Sequence, residues 1–297
     1  MPEYTSSSPF CLSRIYKNRL ISQPMKLDRT FCKYIKRGWD EISFQDELVA
    51  EYRPRHPTKD QLWCPILGTW VSDGGLEGVH QFDSMHGEVT MNTIFGNSHW
   101  CFDLHSARNG LLMHYRLAEG KLVIVPDKTQ QSKSCPDIKQ ICKKTQEYKL
   151  QIIDPTWNQP DERIQLDIDI TWRDLDGKRL RFISGYRPKI QYVYFHYCLQ
   201  LLRRVWQYKG LSTIVLDEEL DKNIWKLPGS LLPRNMLRTF VRELGPGYEN
   251  LLQGSNKRIG HSEGPFMLLN LCAWQIFGWQ CRPLSSDSDE GISLEDM

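Results

Sequence analysis

No run of about eighteen uncharged apolar residues occurs anywhere in the chain, so no membrane-spanning helix is expected and no membrane partner with it. The N-terminal residues lack the apolar stretch of a signal peptide, which predicts a protein that is not secreted but intracellular, cytoplasmic or nuclear. The nine cysteines, scattered from Cys11 to Cys281, include no close C-x-x-C pair, and nine is an odd number; neither a disulfide framework nor a four-cysteine zinc knuckle is implied. Cys135 and Cys142 are spaced too loosely to form a zinc half-site without a second pair. Also missing are a glycine-rich phosphate loop, a G-x-S-x-G elbow, an H-E-x-x-H pair and any solenoid repeat, which removes the common nucleotide-binding, α/β-hydrolase, zincin and repeat readings. Nor is there a dense basic stripe. The net charge of +2 becomes +7 once the five acids of the last fifteen residues are set aside. That bias is compatible with a polyanionic partner and far short of a dedicated DNA binder.

Hydrophobic residues make up 40% of the 297 positions and charged residues 25%, enough to bury one substantial core or two small ones. Ten Trp, twelve Tyr and eleven Phe supply large buried areas in a core, or stacking platforms for bases; the core use is the commoner one.

Composition divides the chain into five stretches. Residues 1–25 are Ser-rich and Pro-punctuated and read as a flexible N-terminus, and residues 283–297 as an acidic, disordered tail in which Ser286 and Ser288 stand in a context suited to phosphorylation. Between them, 26–130 forms a first folded region opening with one or two short helices between Met25 and Tyr52, where Ile35, Trp39, Ile42, Phe44 and Leu48 fall at helical spacing. Trp63–Trp70 reads as a strand with a tight turn, and the continuous apolar run of Lys121–Asp127 as a short buried strand. Residues 131–188 form an accessory region: a polar loop over Ser132–Lys144, a strand over Tyr148–Asp154, then strict alternation from Ile164 to Trp172. Asp176-Gly177 before Arg179–Phe182 predicts a β-hairpin, with Arg173, Lys178, Arg179 and Arg181 on its outward face. Residues 189–282 turn helical, with a wide apolar stripe from Ile190 to Val205 and further helices expected over Pro233–Glu243 and Pro265–Phe277. The fold class expected is α+β, strands in the middle and helices gathered towards the C-terminus.

Five of the eight histidines, His80, His86, His99, His105 and His114, crowd into 35 residues. Imidazoles titrate near neutrality and bind divalent metals, so the cluster points to metal or acid–base chemistry, with polar niches and helix caps as the plainer use.

An ordered series of motifs gives the cluster a context. Leu62–Trp70 (LWCPILGTW), Gly78-Val79-His80, Arg108-Asn109-Gly110-Leu111-Leu112 and KLVIVPD, followed by TWRDLDGKRLRF, YRPK and YFHYCLQLLRR, resemble the HNH domain of fungal proteins, of the ββα-metal nuclease type, over roughly residues 60–210. The resemblance implies a central ββα-metal-like region with an extra β-hairpin and a C-terminal group of helices. It implies His80 as general base, Asn109 as the residue orienting it, and a divalent ion, Mg2+, Mn2+ or Zn2+, steadying the leaving oxygen of a phosphodiester, with DNA as partner. His114 is the candidate metal ligand, Glu119 another in its segment, and His86 or His105 are substitutes. Arg108, Arg179 and Arg181 are candidate phosphate contacts, although Arg108 has Asp103 as an alternative ion-pair partner.

One departure bears on activity. Only seven residues, His114–Gly120, separate Met113 from KLVIVPD, too few for the helix that carries the last ligand in that family. Three readings therefore stand: a metal-dependent HNH endonuclease, a degenerate relative that binds nucleic acid or protein without cutting, and a relative recruited to small-molecule, secondary-metabolite chemistry through an apolar pocket.

Overall fold

A computed structural model describes residues 37–95, 103–114, 117, 122–127, 146–153, 161–165, 168–207, 224–225 and 227–255. Both terminal stretches, His99, Glu119, the 132–144 loop and the helix expected over Pro265–Phe277 lie outside the described residues.

The fold is α+β, built from short antiparallel strand pairs and helices around one contiguous apolar core. Helix α1 (Arg37–Tyr52) leads into β1 (Gln61–Cys64) and β2 (Thr69–Ser72), a tight hairpin with Leu62 opposite Val71 and Trp63 opposite Trp70. Gly68 adopts a φ of +67° at its turn, the left-handed geometry that glycine takes without cost. Strand β3 (Leu76–His80) follows at once, then a long excursion holding helix α2 (Glu88–Phe95), and β4 (Gly110–His114) returns antiparallel to β3. Strand β5 (Leu122–Pro126), the expected KLVIVPD strand, pairs with β6 (Tyr148–Ile152) across the boundary drawn at residue 130. Then come β7 (Arg163–Gln165), β8 (Ile168–Thr171), helix α3 (Ile190–Gln207) and helix α4 (Arg234–Leu244).

Helix α3 matches the stripe read from Ile190 to Val205. It buries Tyr192, Val193, Tyr194, Phe195, Tyr197, Cys198, Leu199, Leu201 and Leu202, and packs on β5 and α4. Helix α4 matches the expectation at Pro233–Glu243; Pro233 precedes its first turn, where the missing N–H costs nothing.

The hairpin expected across Asp176-Gly177 does not form. The alternating run instead folds back on itself, β8 pairing with β7, and Arg173–Leu175 makes a 3-10 turn. The Asp174 carboxylate stabilises that turn by accepting from both the N–H and the hydroxyl of Thr171. Gly177 does take the positive φ its Asp-Gly context promised, +70°, but the chain leaving it runs beside β6: Gly177 N–H donates to Leu150 O, Leu150 N–H to Lys178 O and Leu180 N–H to Tyr148 O. The outward basic face expected for the hairpin is dispersed as a result. Arg173 pairs with Asp161, Lys178 Nζ donates to Leu67 O at 2.9 Å, and Arg179 pairs with Asp127.

Candidate functional site

The β3–β4 pair presents His80 at the end of one strand directly opposite Gly110 at the start of the other. Helix α1 lies across this pair and holds it. The Gln45 amide accepts from Gly78 N–H at 2.9 Å and donates to Leu76 O at 3.4 Å, occupying backbone groups of β3 that its partner strand leaves open. The Tyr52 hydroxyl donates to Gly110 O at 2.7 Å. Such close seating requires glycine at two positions turned towards the helix. A Cβ on Gly78 would sit 2.7 Å from Leu48, and one on Gly110 would sit 2.6 Å from Phe44 and 2.7 Å from Leu48.

Phe44 thereby reaches the His80 ring and stacks on it, centroids 3.7 Å apart and planes 11° from parallel. On another side the His105 ring meets His80 edge-on at 5.4 Å. His80 Nε2 and His105 Nδ1 are both shielded from solvent and make no hydrogen bond among the described residues. Burial pushes the His80 pKa down to about 4; the His105 imidazole adds to the depression and the Asp83 carboxylate opposes it. His80 is thus a neutral base at physiological pH.

Asn109 is fully buried and works on the backbone. Its Oδ1 accepts from Phe82 N–H at 2.8 Å, its Nδ2 donates to Phe82 O and Leu104 O, each at 2.8 Å, and its own carbonyl accepts from Gln81 N–H at 2.7 Å. One side chain therefore ties the start of the excursion, two residues past His80, to its end. The bonds recorded for Asn109 go to this backbone, not to the His80 ring, so any influence on His80 passes through the main chain.

His86 sits in the 3-10 turn Ser84–His86, buried, with its ring edge against Phe82 at 5.5 Å and its pKa pushed down to about 4 by burial, against the pull of Asp83. His114 is buried at the far end of β4, opposite Leu76. Four residues of strand, about 13 Å, separate it from Gly110, too far to share an ion with His80. Arg108 is exposed in the 3-10 turn Ala107–Asn109 beside the pair. Arg179 is engaged by the buried Asp127, and the Arg181 main chain secures the β1–β2 hairpin through Pro65 O and the Trp63 indole. The structure therefore unites His80 with His105, sets Asn109 behind them and leaves His114 apart.

Two participants escaped the sequence reading. Asp83 acts electrostatically on His80, His86 and His196, and His196, on α3, hydrogen-bonds the Gln81 backbone. Burial pushes His196 down to about 4 although part of its surface reaches solvent. Asp83 stands three residues after His80 in the run HQFD, a spacing that places a carboxylate near an imidazole only once the chain turns there.

The described residues do not assemble a ligand set for a divalent ion, and the candidate Glu119 lies outside them. Among the described residues no group of three or more His, Cys, Asp or Glu side chains comes together as a ligand set, and β4 is followed by β5 with no α-helix described between them. Comparison with known proteins adds no relative: no family model matches the chain, and no curated protein or solved structure matches it either.

Proposed function

We propose that this chain is a relative of the HNH nucleases that keeps the strand pair and the His80 and Asn109 positions of that group, and contacts nucleic acid without cutting it efficiently. The observation that carries this reading is the isolation of the His80–His105 pair: two imidazoles with no third ligand among the described residues. Imidazole nitrogens supply little of the charge that holds Mg2+, which prefers carboxylate and water oxygens. The motif series from Leu62 to the KLVIVPD strand supplies the family likeness, and the +7 charge outside the acidic tail supplies a mild preference for polyanions.

A second reading has one observation in its favour. His80 is neutral at physiological pH, and its Nε2 is bonded to no described residue, the state required of a general base. Plasmid incubation with Mg2+, Mn2+, Ni2+ or Zn2+, beside EDTA and His80→Ala controls, separates the two. The binding reading expects no nicking above the EDTA control, together with binding to a labelled duplex that survives EDTA and weakens with salt. Nicking abolished by both EDTA and His80→Ala overturns it in favour of the nuclease. Absence of both nicking and binding removes nucleic acid altogether and leaves small-molecule chemistry at His80.

A further inference from the structure

Helix α4 is the most strongly two-faced of the described α-helices. Met236, Leu237, Thr239, Phe240 and Glu243 are buried, and Phe240 reaches the α3 side chain Phe195. Its other face carries Arg234, Arg238 and Arg242, spaced four residues apart. At 100° per residue the three fall within an arc of about 80°, and at 1.5 Å rise they stand about 6 Å apart along the axis, forming a straight row. Arg238 and Arg242 are exposed; Arg234 is half-buried and held in place by Ser255, its Nη1 donating to Ser255 O at 3.1 Å and to the Ser255 hydroxyl at 2.9 Å.

The row lacks the ion pairs that five other cationic side chains make; among the described residues Arg108, Lys149 and Arg181 lack them too, but they stand on separate segments and form no row. Arg163, Arg173, Arg179, Arg187 and Lys189 each meet a carboxylate at 3.1 Å or less. Among the described residues none of Arg234, Arg238 and Arg242 makes such an ion pair. The helix has one acid, Glu243, which is buried; burial pushes its pKa up and the Arg242 charge opposes the rise. A helical face bearing two exposed guanidinium groups and a third, half-buried one, with no exposed carboxylate on the helix, is complementary to a linear polyanion. The step along the row is comparable to that between successive phosphates of a nucleic-acid strand, and guanidinium is suited to bidentate phosphate contact.

We infer that the Arg234–Arg238–Arg242 row on α4 is the phosphate-backbone contact surface of this protein for nucleic acid, an inference that rests on the nucleic-acid reading above and locates it on the fold. The surface positions the strand through its phosphates, without reading bases. The test is fluorescence anisotropy of the full chain with a labelled single-stranded and a labelled duplex oligonucleotide across a salt series. Wild type is compared with Arg238→Ala/Arg242→Ala, Arg238→Lys/Arg242→Lys and His80→Ala, each checked for fold by circular dichroism. Loss of two phosphate contacts flattens the plot of log affinity against log salt by about 1.5 in slope, each contact contributing roughly 0.7 to 0.9. The lysine variant keeps most of the slope and His80→Ala keeps all of it. Wild-type binding with an unchanged slope in the double alanine variant overturns the row while leaving the nucleic-acid reading intact. Failure of the wild type to bind either oligonucleotide overturns both. A parallel arm with phosphatidylserine vesicles in which the vesicles, and not the oligonucleotides, bind in an arginine-dependent way reassigns the row to a lipid surface and overturns the inference.

Discussion

The Phe44 and His80 rings stack nearly parallel, 3.7 Å between centroids, so a residue of the first helix sets the environment of the histidine that closes β3. The contact lowers the basicity of His80 by excluding water and fastens α1 to the strand pair. Phe44→Ala is expected to do two separable things. It opens a cavity costing about 3 to 5 kcal/mol, read as a lower urea midpoint. It also admits water to His80, whose pKa rises from about 4 towards 6.5, followed by NMR titration of the imidazole. Destabilisation without a shift in His80 would show that other walls keep it dry.

Acid is expected to unfold the protein earlier than carboxylate chemistry alone requires. His80, His86 and His196 have folded pKa values depressed to about 4, below the ordinary 6.5. Between those values the unfolded chain binds more protons than the folded one. The stability these neutral imidazoles contribute is therefore complete above about pH 6.5 and is lost as pH falls to about 4, by on the order of 1 to 3 kcal/mol for each group. Urea denaturation at pH 7.5, 6, 5 and 4 checks the trend, and His86→Gln should flatten it. A profile level from pH 7 to 5 would contradict the buried, neutral state.

Removing the Asn109 side chain should cost more than its size suggests. Asn109→Ala strands the N–H and carbonyl of Phe82 and the carbonyl of Leu104 inside the protein, with an expected loss of about 2 to 4 kcal/mol in urea denaturation. Asn109→Asp retains the acceptor but replaces the donating amide with a buried carboxylate, and is expected to be no better. An aspartate variant as stable as wild type would mean that the carbonyls find donors elsewhere.

Gly110 and Gly177 form a contrasting pair. Gly110→Ala drives a methyl to within 2.6 Å of Phe44 and 2.7 Å of Leu48, and about 1 to 3 kcal/mol of overpacking is expected. A Cβ on Gly177 meets nothing within 4 Å, yet φ is +70°, so Gly177→Ala is expected to cost about 1 kcal/mol in backbone strain and Gly177→Asn less. Equal melting temperatures for the two alanine variants would mean that α1 gives way.

Elements with their own pattern were readable from the chain: the α3 stripe and the KLVIVPD strand occur where periodicity demanded them, and the strand with a tight turn read over Trp63–Trp70 is in the structure two strands, β1 and β2, joined by that turn. The Asp176-Gly177 hairpin was not, because a turn signal states how the backbone bends and not which strand receives it. The receiver is β6, where Ile152 N–H donates to the Asp176 carboxylate, a contact 24 residues distant in sequence. The site divides in the same way. His80 and Asn109 stood out through the motif series, whereas the opposition of His80 to His105, the separation of His114 and the reach of Asp83 to three imidazoles depend on strand register and on packing that no local spacing encodes.

Asn109 pins both mouths of the excursion that leaves β3, its side chain bridging 27 positions of sequence, while Glu88 ties helix α2 to Leu104 near the end of the excursion. Closing a longer loop adds only about 0.6 kcal/mol for each doubling in length. The excursion is clasped at its base by Asn109 and anchored in the core through Phe82, Met91 and Ile94, so that exchange of exposed positions such as Val89, and not of the α2 core face, leaves the two strands and the histidine at their edge in register.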